Sequence, residues 1–212
     1  MDKSALELLT PSNCMLALID HQPQMFFGIE SANRGVIANN VVGLAKAAKI
    51  FGVPTILTTV AAKTFSGPLI PELQAVFPDQ KPIDRTTMNS WEDKNFVDAV
   101  KQVKRKKIVM AALWTEVCLA FPAISAVKEG YEVYAVVDAS GATTAEAHET
   151  AIRRMMQAGI IPVTWIQVLC EWQRDWARQE TYTPVMNLVQ EHAGAYGMGV
   201  FYAASMMGSH GG

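Results

Sequence analysis

Short apolar runs alternate along this chain with longer stretches whose apolar residues recur at helical spacing. CMLALID, at 14–20, reads as a buried strand that ends in an acid. RGVIANNVVGLAKAAKIFG, at 34–52, places Val36, Ile37, Val41, Leu44, Ala48 and Phe51 on one helical face, with Gly52 just past its end. VPTILTTV, at 53–60, predicts a strand and LIPELQAVF, at 69–77, a short helix. KPIDRT, at 81–86, fits either a short strand or an extended approach to a loop. DKNFVDAVKQVK, at 93–104, predicts a helix with Asp93 as its N-cap. A strand follows at KKIVMAAL, 106–113, and a helix at VCLAFPAISAVKEG, 117–130, with Pro122 in its first turns. YEVYAVVDA, at 131–139, is a strand, and TAEAHETAIRRMMQAG, at 144–159, is a helix closed by Gly159. IIPVTW, at 160–165, is the last clear strand; 168–179 and 183–192 predict helices.

Strands alternating with helices predict an α/β sandwich around a mainly parallel sheet. The strands are continuous apolar runs, as expected where helices cover both faces. At 212 residues the chain is long enough to bury a full core, and one domain over 1–180 is expected. The segment 181–212, a helix followed by a Gly/Met-rich tail, is part of that domain or an oligomerisation arm. The final SHGG is an expected disordered end.

Charge and composition remove several classes of function. A formal net charge of −2 leaves no electrostatic footprint for nucleic acid, and the basic run KQVKRKKIV reads as a solvated helix end and turn. The beginning of the chain lacks a signal-peptide stretch, and no segment has the continuity of a membrane span, so a cytoplasmic protein with no membrane partner is expected. Three cysteines, Cys14, Cys118 and Cys170, do not form a disulfide framework; Cys14 and Cys170 read as core residues. His148, His192 and His210 show no ligand spacing, and no glycine-rich phosphate loop is present, so neither a metal nor any other cofactor is expected.

In a parallel α/β sheet, ligands bind beyond the carboxyl ends of the strands. That rule selects Asp20, the Thr58-Thr59 end, Arg85, the turn LWTEVC and Asp138. Cys118, at the start of a helix, gains thiolate character from unpaired N–H groups, and those groups could also receive an oxyanion. Asp20 is positioned to take its proton, and Arg85 to hold both anions. His21 follows Asp20 directly, but alternation at a strand end turns the two side chains apart. Asp138 is read as ordering the turn that follows it. Phe26, Asn89, Trp91, Trp114 and Trp165 are candidate pocket walls, since small-molecule pockets are mostly apolar with few polar groups.

At these residues the chain resembles the isochorismatase-like cysteine hydrolase superfamily, and its YcaC-type branch in particular. The pieces that carry the resemblance are LALIDHQ, VPTILTT, GPLIPEL, DRTTMNSWEDKNFVDAV, WTEVCLAFPAISAVKEGYEVYAVVDASG and RRMMQAGIIPVTW, in order over most of residues 10–178. The resemblance implies a Rossmann-like three-layer α/β/α domain with a six-stranded parallel sheet. It also implies an acid–base–cysteine triad in which Asp20 is the acid, Cys118 the nucleophile and Arg85 stands at the family's lysine position. It further implies a cis peptide at Leu113–Trp114, with the amides of Trp114 and Cys118 as the oxyanion hole. Two departures stand out. Arginine holds its proton far more tightly than lysine, so proton transfer falls to Asp20. Trp114 replaces a smaller residue, so its indole lines or plugs the pocket.

The implied activity is metal-independent hydrolysis of a small amide or related acyl substrate through a thioester. The segment TTVAAKTFSGPL lacks the Asp-x-His metal pattern of nicotinamidases. The rival readings are C–O hydrolysis of an isochorismate-like substrate, which needs no cysteine, and a silent oligomeric binding protein. The resemblance also implies a homo-oligomer, with an octamer as the expected form.

Overall fold

A computed structural model describes residues 7–207; the expectation of disorder for SHGG falls outside them. Six strands form one all-parallel sheet: β1 (Cys14–Ile19), β2 (Thr55–Val60), β3 (Ile83–Arg85), β4 (Lys107–Ala112), β5 (Glu132–Val136) and β6 (Ile161–Val163). Their order across the sheet is β3-β2-β1-β4-β5-β6. The chain therefore winds outward in one direction from β1 and in the other from β4. The switch between the two halves lies at the β1/β4 pair, where an open α/β sheet leaves a crevice at its strand ends.

Register brings particular residues to that edge. Ile19 pairs with Thr58 on one side and Ala112 on the other, so Asp20, Thr59 and Leu113 follow in one row. Val60 pairs with Arg85, which puts Arg85 one strand further out. Every residue of β1 and β4 is buried, because helices cover both faces. This holds for Lys107 too, whose ammonium meets Glu132 at 2.7 Å.

The helices are α1 (Pro23–Phe27), α2 (Arg34–Ile50), α3 (Pro71–Val76), α4 (Lys94–Val103), α5 (Ala120–Lys128), α6 (Ala145–Gln157), α7 (Trp165–Gln173), α8 (Gln179–His192) and α9 (Ala195–Met207). Side-chain caps open several of them. Asn33 accepts from Gly35 and Val36 at the start of α2, Asp93 from Phe96 at α4, and Thr144 from Ala147 at α6. The short segment KPIDRT resolves as strand β3.

Several elements differ from the sequence pattern. The strand expected to reach Ala139 stops at Val136 and continues as a 3₁₀ turn over Val137–Ala139. Helix α7 begins at Trp165, three residues before the expected start, because Thr164 and Asp138 both supply side-chain acceptors to its first amides. Helix α1 has only five residues, too few for a periodic signal. The glycine-rich tail forms α9 as far as Met207; Gly197 there is needed for contact, since a Cβ would lie 2.3 Å from the Val189 carbonyl of α8. No helix among the described residues is long and apolar enough to cross a membrane.

Candidate active site at the strand ends

Asp20 leaves β1 with a left-handed backbone, φ 60°, a conformation that aspartate tolerates better than most residues. Its amide still donates to the Thr58 carbonyl at 3.0 Å, so the turn begins only after the strand is fully paired. The carboxylate points toward β3, where Arg85 grips it in a fork. Nη1 donates to Oδ1 at 3.0 Å and Nη2 to Oδ2 at 2.8 Å. Nη1 also donates to the Thr59 carbonyl at 3.2 Å. Both charged side chains are completely removed from solvent. A fork of this kind is the geometry in which guanidinium and carboxylate compensate each other's desolvation best.

Cys118 is 4% exposed and its thiol lies within the electrostatic reach of the Asp20 carboxylate. Burial, then the charge of Asp20, hold the thiol well above its ordinary value, while Arg85 and the Trp114 main-chain amide pull the other way. Burial also raises Asp20, against the opposing pull of Arg85. The resting thiol is therefore neutral, beside an Asp20 side chain that arginine holds in place. This arrangement can pass a proton from sulfur to Asp20 when a substrate supplies an acceptor for the electrons of the thiolate.

The turn that carries Cys118 differs from a plain helix start. Thr115–Leu119 forms one π-helical turn, and α5 follows it. Such wide turns recur at functional sites because they re-aim one side chain without breaking the helix. The Leu113–Trp114 peptide is cis. The amide of Trp114 faces the Cys118 sulfur. Its indole Nε1 donates to the Met25 carbonyl at 2.8 Å.

Three expected pocket residues are placed elsewhere by their own bonds. Asn89 caps the 3₁₀ turn Ser90–Glu92 through Trp91 N and donates to Ser125 Oγ at 3.1 Å. Trp91 is buried, donates to Glu129 at 2.9 Å beyond the far end of α5, and stacks edge-on with Phe96 and Tyr131. Trp165 sits under α2, where a Cβ on Gly43 would be 3.1 Å from its ring. Trp91 and Trp165 are large side chains that the core absorbs, whereas Asn89 is held as a turn cap. Phe26 is nearly buried and faces a groove of about 430 Å³ between α1, α2 and α3, which none of Asp20, Arg85 and Cys118 lines.

Other candidates resolve into structural parts. Asp138 Oδ1 caps α7 by accepting from Trp165 N at 2.9 Å, so it serves a helix well beyond it in the chain rather than the turn beside it. His21 Nε2 lies 3.0 Å from the Ala139 carbonyl, while Asp20 turns to Arg85; both lie past the end of β1. Burial lowers its pKa to about 4. Cys14 is buried and burial pushes its thiol up to about 11. Cys170, expected in the core, is exposed on α7. Among the described residues no three His, Cys, Asp or Glu side chains gather at one point.

Some contributors carry no strong signal in the sequence. Gln22 clamps the loop after β2, accepting from Val60 N at 2.9 Å and donating to the carbonyls of Val60 and Gly67. Met25 acts through its carbonyl, which any residue would supply. Gly28 is visible as a glycine following two aromatic residues, but its reason lies in packing against Trp114.

The isochorismatase domain family matches residues 14–167. The Escherichia coli (strain K12) protein "Probable hydrolase YcaC" is 41% identical over 169 residues, which is 79% of this chain and 81% of that one. The crystal structure of the E. coli YcaC product, an octameric hydrolase of unknown specificity, superposes with a TM-score of 0.89 at 37% identity, covering 94% of this chain and 97% of that one. YcaC from Pseudomonas aeruginosa, solved with hexane-2,5-diol and covalent acrylamide, superposes with a TM-score of 0.86 at 34% identity, covering 97% and 98%. A three-layer fold with its switch point at β1/β4, a family match over most of the chain and this similarity to YcaC together establish that the chain belongs to the isochorismatase-like hydrolase family.

Proposed function

We propose that this protein is a metal-independent cysteine hydrolase of small amides or related acyl compounds. One observation carries the reading: the buried Cys118 thiol senses the charge of Asp20, a carboxylate that Arg85 holds in a bidentate fork at the sheet's switch point. In the proposed cycle Asp20 takes the thiol proton as sulfur attacks the substrate carbonyl. The main-chain amides of Trp114 and Cys118 receive the oxyanion. Asp20 returns the proton to the departing nitrogen, which leaves as ammonia or an amine, and a thioester remains. Water then attacks the thioester, losing a proton to Asp20; the acid product leaves and the proton goes back to sulfur. Arg85 orients Asp20 and balances its charge throughout.

The P. aeruginosa relative supports a nucleophile in this family, because acrylamide bonds covalently to electron-rich side chains such as thiolates. The proposed setting is the cytoplasm, and the proposed partner is a second copy of the same chain. The octameric E. coli neighbour supports that assembly. Helix α9 supports it too, with thirteen residues, none charged, and Met198, Phe201 and Tyr202 more than half exposed.

The test compares Cys118→Ala and Asp20→Asn over a panel of small amides, with thiol alkylation measured in parallel. Cys118→Ala is expected to lower turnover roughly a thousandfold or more. Asp20→Asn should do two opposite things. Turnover falls by a comparable factor, yet Cys118 alkylates faster at fixed pH, because the negative charge that holds the thiol protonated is gone and Arg85 remains. Full amide turnover in Cys118→Ala would overturn the covalent mechanism; no amide turnover in the parent, with cleavage of an isochorismate-like ether that survives Cys118→Ala, would favour the C–O hydrolase reading.

A further inference from the structure

The site around Cys118 is shut. Cys118 is 4% exposed and neither Asp20 nor Arg85 has any side-chain surface in solvent. A substrate must therefore displace something, and the side chain best placed for that is Trp114. It is only partly buried, it lies two residues beyond the end of β4, and its main-chain amide faces the sulfur. Its carbonyl also accepts from both Val117 and Leu119, so Trp114 anchors the π turn that carries Cys118.

Two features of the neighbouring segment hold the indole. The Met25 carbonyl, in α1, accepts its N–H at 2.8 Å. Gly28 then lies flat against the ring. A Cβ built there would fall 2.4 Å from Cζ2, 2.9 Å from Cε2 and 3.1 Å from Nε1. The backbone at Gly28 has φ −78° and ψ 0°, which any residue adopts without strain. The three atoms nearest to such a Cβ all belong to the indole, which thus demands the absence of a side chain at this position. The segment is in turn tied down: Met25 is buried and its sulfur accepts from Ser66, while Arg34 donates to the carbonyls of Phe26 and Phe27.

We propose that Gly28 and the Met25 carbonyl form a socket for the Trp114 indole, and that release of the indole from this socket admits the acyl substrate to Cys118. Trp114 is then the residue that controls entry, and Gly28 positions it. The proposal rests on the reading of Cys118 as the reactive thiol, but its test needs no turnover.

The test is the rate of Cys118 modification by iodoacetamide in the intact assembled protein, at one fixed pH, mapped by mass spectrometry. Four proteins are compared with the parent: Gly28→Ala, Trp114→Phe, Trp114→Ala and Gly28→Ala combined with Trp114→Ala. Phenylalanine removes the Nε1 donor and the benzo carbons, and alanine removes the whole ring. Each single variant should raise the Cys118 rate roughly five- to tenfold, about the effect of losing one hydrogen bond in the closed form. In the Trp114→Ala background, Gly28→Ala should add nothing, since the indole that it would meet is gone. Cys14, buried in the core, should stay protected in all of them. An unchanged or slower Cys118 rate in Gly28→Ala overturns the socket, as does an equal Gly28→Ala effect with and without the indole. Parallel gains at Cys14 would overturn it as well, since they mean general loosening. Failure of the hydrolase reading shows separately, as undiminished amide turnover in Cys118→Ala.

Discussion

Two regions of this molecule invert the usual separation of polar from apolar groups, and they do so in opposite directions. At the strand ends, Asp20, His21 and Arg85 lie under the surface; on α9, Met198, Phe201 and Tyr202 lie in it. The buried charges are balanced within the chain, since the fork of Arg85 meets both oxygens of Asp20. Helix α9 leans on α8 through Gly197 and leaves Met198, Phe201 and Tyr202 more than half exposed. Burial of polar groups thus marks a site completed by the fold itself. Exposure of apolar groups marks a surface that another molecule completes.

The comparison breaks most readily at Arg85. Replacement by Met leaves Asp20 buried without its counter-charge and should cost about 3–5 kcal/mol in urea unfolding. The control is Arg153→Ala, which removes the exposed pair with Glu149 and should cost less than about 1 kcal/mol. Equal costs would mean that the fork is not what balances the buried site.

His21 gives a smaller effect that depends on pH. Its folded pKa, about 4, lies below the ordinary value of 6.5. The unfolded chain therefore binds more protons between those values, and stability contributed by the neutral ring is complete above pH 6.5 and lost as pH falls toward 4. The loss attributable to this residue is about 3 kcal/mol. His21→Gln, which keeps a donor for the Ala139 carbonyl, should flatten the stability profile over that window. An unaltered profile would show that His21 is hydrated or charged in the folded protein.

The smallest effect on the folded subunit is expected on α9. Phe201→Glu changes an exposed side chain, so subunit stability should move by less than about 0.5 kcal/mol. Light scattering should nevertheless show a smaller assembly, because a buried carboxylate opposes association. An unchanged assembly would assign α9 to some other contact.

Much of the site is legible in the sequence. Asp20, Arg85 and Cys118 each follow or end a strand, and strand ends are readable from apolar runs bounded by polar residues. What pattern does not reveal is the destination of large side chains. Trp91 and Trp165 have the chemistry of pocket walls, yet Glu129 and Gly43 draw them into the core. Cys170 has as apolar a sequence context as Cys14, but the turn of α7 puts it outside. Helix α1 and the socket at Gly28 leave no periodic trace, because one is shorter than two turns and the other is a contact between residues 86 positions apart in the chain.

The sequence by itself determined the alternation of strands and helices, the parallel sheet and the residue types at the strand ends, since these follow from local periodicity and from the rule that a covered strand is apolar throughout. Only the tertiary structure decided which of those ends meet. Convergence depends on strand order and register: β1 beside β4 brings Asp20 to Cys118, and Val60 opposite Arg85 aims the guanidinium inward. It also decided that the thiol rests protonated under a tryptophan, because protonation follows from desolvation and neighbouring charge, which are properties of the packed site rather than of any residue in it.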